Sequence, residues 1–133
     1  MESDFYRTIL SPSSEVIYKE KSSKFFGYAF PLSNEDEVKT LIKALKKQHH
    51  SARHWCYAYQ IGKDTIKYRA NDDGEPTKSA GIPKYGQIQS IDITNVRVVG
   101  GRYFGGVKLG GGGLIQANKN DANMAVENSK IKV

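Results

Sequence analysis

The amino-acid sequence predicts an α+β domain in which a mixed β-sheet is covered by helices on one face. Strand-forming runs alternate with helical patterns, but no regular βαβ period repeats along the chain. The content of 38% hydrophobic and 26% charged residues is that of an ordinary globular protein. No linker or low-complexity tract divides the chain, so residues 1–133 are expected to form a single domain.

The first elements are predicted to be strands. Residues 15–21 and 24–31 are rich in β-branched and aromatic side chains, and they are expected to pair antiparallel. Residues 5–10 are expected to add a short edge segment, which ends at the turn-forming residues 11–13.

A helix is predicted to follow Ser33 and Asn34, whose side chains are suited to capping. Residues 35–37 are acidic and lysines close the pattern over residues 43–47, which complements the helix dipole. The apolar residues at helical spacing are Val38, Leu41, Ile42 and Leu45.

The middle of the chain is predicted to form a hairpin followed by a loop. Residues 53–61 and 65–69 favour strands, and Gly62-Lys63-Asp64 between them has the chemistry of a tight turn. Residues 71–76 combine turn formers with carboxylates and are expected to form a loop.

The last third of the chain is predicted to contain two helices and one strand. A helix is expected over residues 81–90, and a buried strand over residues 96–99 that runs towards residues 102–104. A glycine-dense loop over residues 105–113 is expected to precede a final helix at residues 114–128.

Composition restricts the environment and the partners. Cys56 is the only cysteine, and residues 1–4 lack the pattern of a signal peptide, so a reducing cytosol is expected. No apolar run is long enough to cross a bilayer, and no membrane partner is expected. The formal net charge of +6 is compatible with a phosphate-rich partner such as RNA or a ribosome, and equally with a need for solubility.

The segment RYFGGVKLGGGGL at residues 102–114 is the strongest local signal. A strand end, a glycine-rich loop and a helix start could together hold an anion such as a phosphate group. The pattern lacks the spacing of a P-loop or a dinucleotide fingerprint, and a tight turn that packs the last helix is the alternative. The candidate binding residues are Arg102, Tyr103, Gly105, Gly106, Lys108, Gly110, Gly112 and Gly113.

The loop NDDGEP supplies a second group of candidate binding residues. Its carboxylates could hold Mg²⁺ if a phosphate completed the coordination. The favoured alternative is an internal latch, in which the carboxylates cap a helix and pair with Arg102 or Lys108. The candidate residues are Asp72, Asp73, Gly74, Glu75 and Pro76.

The histidines and the cysteine predict neither a metal site nor a catalytic pair. His49, His50, His54 and Cys56 lack the further ligands that a zinc site requires. His54 and Cys56 are near neighbours in sequence, but nucleophilic catalysis also needs geometry and an orienting third group. No catalytic residue and no cofactor are predicted.

Four segments resemble, in order, the N-terminal domain of the IMPACT/YigZ family. They are SKFF at residues 23–26, RHWCYAY at 53–59, NDDGEP at 71–76 and RYFGGVKLG at 102–110. The resemblance spans about residues 14–128. It implies a four-stranded sheet with helices on one face, similar to the second domain of a small-subunit ribosomal protein and to domain IV of elongation factor G.

The resemblance also implies a function. The eukaryotic members look like regulators of translation, so a non-catalytic module that binds RNA, the ribosome or a translation-related protein is expected. The alternative is a Mg²⁺-dependent enzyme or binder that acts on a phosphorylated small molecule. The family commonly continues into a ferredoxin-like second domain, which is expected to be absent here.

Several positions depart from the pattern of the family. Polar or charged residues replace small, aliphatic or aromatic ones, and two glycines interrupt a strand that is usually β-branched. Glycine in a buried strand costs about 1 kcal/mol, so these changes bear on the packing beside the last helix. The positions are Lys78, Lys84, Gly100, Gly101, Asn118, Asp121 and Asn123.

Overall fold

The computed structural model describes residues 7–20, 23–49, 52, 54–75, 78–103, 110–129 and 131–132. No helix among these residues combines the length and the apolar character needed to span a membrane. The strands are β1 (Thr8–Ile9), β2 (Val16–Glu20), β3 (Ser23–Pro31), β4 (His54–Ile61), β5 (Lys67–Asn71), β6 (Val96–Tyr103) and β7 (Ile131–Lys132). The helices are α1 (Asp36–Gln48), α2 (Gly81–Ile91) and α3 (Gly110–Glu127).

The main sheet has five strands in the order β2-β3-β6-β4-β5, and every pairing between neighbours is antiparallel. The prediction of a four-stranded mixed sheet was therefore wrong. β6 lies between β3 and β4, and Val99 pairs with Tyr28 on one side and with Tyr57 on the other. Because β6 runs opposite to both neighbours, the crossover through α1 produces no parallel pair.

Helices cover both faces of the sheet, so the prediction of helices on one face was also wrong. Leu45 of α1 packs with Trp55 and Val99 on one face. The other face packs against α2 and α3, and its core includes Ala29, Ala58, Val98, Ile88 and Ala122. The central strands are apolar on both sides, and each side must therefore be covered.

Helix α1 begins as its sequence predicts. The Asn34 side-chain oxygen accepts a hydrogen bond from the backbone N–H of Asp36 at 2.8 Å, which satisfies a donor in the first turn. The Ser33 hydroxyl donates to the Glu37 carboxylate at 2.7 Å. The predicted capping role of this segment is confirmed.

The N-terminal segment differs from the prediction. Thr8 and Ile9 form a strand, but they pair with β7 and do not extend the main sheet. β7 lies after the last predicted helix and was not predicted, because two residues carry too little periodicity for a sequence signal. Residues 5 and 6 of the predicted segment lie outside the described residues.

Helix α3 begins at Gly110, four residues before the predicted start. The prediction treated every glycine up to Gly113 as part of a loop, because glycine costs about 1 kcal/mol in a helix relative to alanine. Leu114 and Ala117 are buried against Phe25, and this packing supports the first turns of the helix.

Candidate functional site

The acidic loop between β5 and α2 is held by its own carboxylates. One oxygen of Asp72 accepts hydrogen bonds from the backbone N–H groups of Gly81 at 2.8 Å and Ala80 at 3.2 Å. Its second oxygen accepts from the N–H of Lys78 at 3.0 Å. Asp72 therefore caps the start of α2, as the latch alternative predicted.

Asp73 joins the same loop to strand β4. Its carboxylate accepts the backbone N–H of Trp55 at 2.7 Å, and its carbonyl oxygen accepts from Nδ1 of His54 at 2.7 Å. The φ angles of Asp73 and Gly74 are 45° and 86°, in the left-handed region that a tight turn uses. The Asp73 carboxylate thus lies against the end of the sheet.

Glu75 completes the latch by pairing with Arg102 at the end of β6. The Glu75 carboxylate oxygens lie 3.0 Å from Nε and 3.2 Å from a terminal nitrogen of Arg102, a two-point contact. The two side chains are only 3% and 13% exposed, and the guanidinium lies 5.9 Å from the centre of the Phe25 ring. The acidic loop and the start of the glycine-rich segment are therefore in direct contact.

Tyr103 and its sequence neighbour Arg102 lie on opposite faces of the sheet. Tyr103 lies on the α1 face of the sheet, where its hydroxyl is 3.0 Å from Nδ1 of His49. The Nε2 atom of His49 lies 2.8 Å from the Glu15 carboxylate and 3.1 Å from the Tyr28 hydroxyl. Burial and the Glu15 carboxylate raise the pKa of Tyr28. Tyr103 therefore helps to fix α1 on the sheet.

The remaining predicted residues lie in the glycine-rich segment or beside it. Gly110, Gly112 and Gly113 belong to the first turn of α3, and a Cβ atom added to Gly112 would meet nothing within 4 Å. The structure therefore gives Gly112 no packing reason to be glycine. Four predicted binding residues lie outside the described residues: Pro76, Gly105, Gly106 and Lys108.

A buried polar cluster that the sequence did not predict as a unit lies between α2, α3 and β6. The Lys84 ammonium is 2.5 Å from the Asp121 carboxylate and 2.7 Å from the Asn118 side-chain oxygen. Both charged side chains are completely buried. The second carboxylate oxygen of Asp121 has no hydrogen-bond partner among the described residues. The amide of Asn118 donates to the carbonyl oxygens of Leu114 and Ser79.

Gly100 explains how this cluster fits against the sheet. A Cβ atom at this position would lie 2.5 Å from the Lys84 nitrogen and 2.8 Å from an Asp121 oxygen. Gly101 faces the opposite side, where a Cβ atom would lie 2.5 Å from the Trp55 ring. Each glycine therefore makes room for one large buried side chain or ion pair.

Burial changes the acidity of two groups in this region. It raises the pKa of the Asp121 carboxyl to about 6, although the neighbouring Lys84 ammonium acts in the opposite direction. Burial also raises the pKa of the Cys56 thiol, which donates to the Asp72 carbonyl oxygen at 3.0 Å. Cys56 is therefore held as a protonated and unreactive thiol.

The described residues contain no group of three or more histidine, cysteine, aspartate or glutamate side chains arranged to hold a metal ion.

The signal for the buried cluster was present in the sequence but was divided among separate positions. Lys84, Gly100, Asn118 and Asp121 were each expected to depart from the family pattern, and the structure brings all four together.

The fold and the latch define a small α+β domain whose five-stranded antiparallel sheet is enclosed by helices. The sequence pattern described as the Impact N-terminal domain matches residues 21–126. The chain belongs to this family, and the predicted resemblance is confirmed.

Individual relatives agree with this assignment. The chain is 41% identical over 112 residues to the IMPACT family member YvyE of Bacillus subtilis, covering 84% of this chain and 51% of that protein. It is 31% identical over 113 residues to YigZ of Escherichia coli, covering 84% of this chain and 55% of that protein. The chain therefore spans about half the length of these relatives.

Solved structures show the same similarity. A crystal structure of a hypothetical protein matches with a TM-score of 0.84 at 26% identity, covering 96% of this chain and 62% of that one. The two-domain translational regulator Yih1 matches with a TM-score of 0.56 at 25% identity, covering 90% of this chain and 46% of that one.

Proposed function

We propose that this protein is a non-catalytic binding module that takes part in translational regulation, through RNA, the ribosome or a translation-factor partner. The similarity to Yih1, which is described as a translational regulator, supports the link to translation. The net charge of +6 suits a partner that carries phosphate groups.

One observation supports a non-catalytic role: all three carboxylates of the acidic loop already make structural contacts within the protein. Asp72 caps α2, Asp73 binds the backbone of β4, and Glu75 pairs with Arg102. A Mg²⁺ ion bound by these groups would have to displace contacts that hold the loop in place. The geometry therefore favours the binding module over the alternative of a Mg²⁺-dependent enzyme or binder acting on a phosphorylated small molecule.

The glycine-rich segment is the proposed contact surface. Arg102 has a structural role in this surface, because its pairing with Glu75 holds the end of β6, where the glycine-rich segment begins. Lys108 and the backbone N–H groups at the start of α3 would then contact the anionic partner.

Co-sedimentation with ribosomes over a series of salt concentrations tests this proposal. The wild-type protein is expected to sediment with ribosomes at low salt and to dissociate steeply as salt rises. Lys108→Ala should shift the midpoint to lower salt, whereas Lys19→Ala removes an equal charge on β2 and should leave the midpoint close to wild type. Absence of wild-type co-sedimentation at every salt concentration, together with failure to bind RNA or purified translation factors, would refute the proposal.

A further inference from the structure

Helix α1 carries a row of exposed lysines along one side. Lys39, Lys43 and Lys46 follow Glu35 at intervals of four, four and three residues, so all lie on one side of the helix. Glu35 accepts a hydrogen bond from the Tyr59 hydroxyl at 3.0 Å and lies 3.5 Å from the Lys67 ammonium of β5. The row therefore begins at the end of α1 that contacts strands β4 and β5.

The packing of α1 fixes its direction along the sheet. Val38 packs with Tyr59 near the start of the helix, and Leu45 packs with Trp55 near its end. α1 thus runs antiparallel to β4. The row from Lys39 to Lys46 follows this strand for about 10 Å, at 1.5 Å per helical residue.

The sheet beside the lysine row presents aromatic and basic side chains. The rings of Tyr57 and Tyr59 are parallel to within 5°, with centres 6.3 Å apart. Tyr57 is half-buried, and Arg69 of β5, which pairs with Tyr59, is exposed on the same face. We call the surface formed by Lys39, Lys43, Lys46, Tyr57 and Arg69 the α1–β5 cleft.

The charges in the α1–β5 cleft are not neutralised within the described residues. None of its three lysines and its arginine has an ion-pair partner in that part of the chain. Acidic residues occur at one end, where Glu35 and Asp36 line a cavity of about 560 Å³ between α1 and the β4–β5 turn. The positive potential is therefore concentrated along the middle and the far end of the helix.

We propose that the α1–β5 cleft binds single-stranded RNA. The lysines and Arg69 contact successive phosphates, and an unpaired base stacks on the exposed part of Tyr57. A row of cations beside aromatic rings fits a single strand better than a duplex, because paired bases do not present their faces. This inference rests on the proposed function and adds to its surface at the glycine-rich segment a second contact surface, on the opposite face of the sheet from the Glu75–Arg102 latch.

Fluorescence anisotropy with a labelled oligouridine of roughly twelve nucleotides tests the charges, since such a length spans a typical single-strand site. The variant Lys39→Gln, Lys43→Gln, Lys46→Gln should bind at least about tenfold more weakly. The slope of log affinity against log salt should fall by about two, from three lost contacts at about 0.7 each.

A matched control distinguishes the effect of the lysines in the α1–β5 cleft from the effect of the protein's overall positive charge. The variant Lys19→Gln, Lys24→Gln, Lys119→Gln removes the same three charges from exposed positions away from the α1–β5 cleft, and it should bind within about twofold of wild type. Equal weakening by the two triple variants would overturn the proposal.

Tyrosine variants test stacking. Tyr57→Leu should weaken binding by roughly tenfold, as expected for the loss of one stacked base. Tyr68→Leu changes a 61% exposed tyrosine on the other face of β5 and should leave the affinity unchanged. Circular dichroism and urea unfolding confirm that each variant is folded. An unchanged affinity of folded Tyr57→Leu, or equally tight binding of duplex RNA, would overturn the proposal.

The same variants distinguish this inference from the proposed function. If the cleft triple variant still sediments with ribosomes like wild type and retains its affinity for oligouridine, the cleft proposal fails while the proposed function stands. If the wild-type protein binds neither RNA, nor ribosomes, nor translation factors, the proposed function itself fails. Loss of oligouridine binding in the cleft variants, together with weakened ribosome binding by Lys108→Ala, supports both.

Discussion

Two ion pairs on the same side of the sheet differ in how completely they are satisfied. Arg102 and Glu75 meet through two contacts of 3.0 and 3.2 Å, and the Arg102 side chain keeps 13% of its surface in water. Lys84 and Asp121 meet through a contact of 2.5 Å with no exposure, and one Asp121 oxygen has no partner among the described residues.

The difference teaches that burial alone does not make an ion pair stabilising. Complete desolvation costs several kcal/mol for each charge, and only good geometry and further hydrogen bonds offset it. Asn118 supplies such a bond to Lys84, whereas half of the Asp121 carboxylate remains unsatisfied by the described residues. We expect that removing one partner of the Lys84–Asp121 pair lowers the stability strongly, whereas replacing both partners with apolar residues changes it little.

The largest effect is expected from breaking the fully buried pair. Asp121→Ala should lower the free energy of unfolding by about 3–5 kcal/mol, because it leaves the Lys84 ammonium buried without its counter-charge. Urea denaturation measures this change. The double variant Lys84→Met, Asp121→Leu should restore stability to within about 1 kcal/mol of wild type or exceed it. A double variant as unstable as Asp121→Ala would show that the pair itself is strongly stabilising.

Breaking the more exposed pair should cost less. Glu75→Ala is expected to lower the free energy of unfolding by about 1.5–3 kcal/mol, because water can reach part of the Arg102 side chain. Glu75→Gln keeps one hydrogen-bond acceptor and should lose less than Glu75→Ala in the same urea titration. A loss for Glu75→Ala that exceeds the loss for Asp121→Ala would reverse the comparison.

The glycine beneath the buried pair provides a third test. Gly100→Ala should lower stability by about 1–3 kcal/mol, since its Cβ would overlap the Lys84 ammonium and the Asp121 carboxylate. Gly86→Ala in α2 is the matched control, because no atom lies within 4 Å of its added Cβ. Helix propensity predicts that Gly86→Ala raises stability by up to about 1 kcal/mol. Thermal unfolding of both variants shows whether the contacts of the added Cβ atom or the change in backbone entropy dominates the effect on stability.

The smallest effect concerns pH. The folded-state pKa of Asp121, about 6, exceeds its ordinary value of 3.8, so the folded protein binds this proton more tightly than the unfolded chain. The resulting stabilisation is fully present below the unfolded value and is lost as pH rises through about 6. Stability relative to Lys84→Met, Asp121→Leu should therefore increase by on the order of 1 kcal/mol from about pH 8 to about pH 5. If this stability difference stays constant or decreases as the pH is lowered, the raised pKa is wrongly assigned to Asp121.

Local signals in the sequence predicted the individual elements well. The capping residues and the apolar spacing of α1 are properties of one segment, and β3 and β4 begin within one residue of their predicted starts. The latch was also foreseen as the favoured alternative, with loop carboxylates capping a helix and pairing with Arg102 or Lys108, but only the structure assigns the capping to Asp72 and the pairing to Glu75.

The arrangement of the elements could not be predicted in the same way. The insertion of β6 between β3 and β4 depends on contacts far apart in sequence, so strand propensity does not encode it. The same limit hid the buried cluster, whose Lys84 and Asp121 are 37 residues apart. The sequence did not suggest the proposed α1–β5 cleft, because the charges of Lys43 and Lys46 were explained by the helix dipole.

Strand β5 lies at the end of the described sheet, and its outward edge could template pairing with a second molecule. Lys67 and Arg69 place positive charge along this edge, and two copies brought together side by side would repel each other there. Arg69, which the proposal assigns to a nucleic-acid partner, thus also opposes aggregation. Neutralising Arg69 should lower solubility as well as affinity, and bound RNA would mask the same edge.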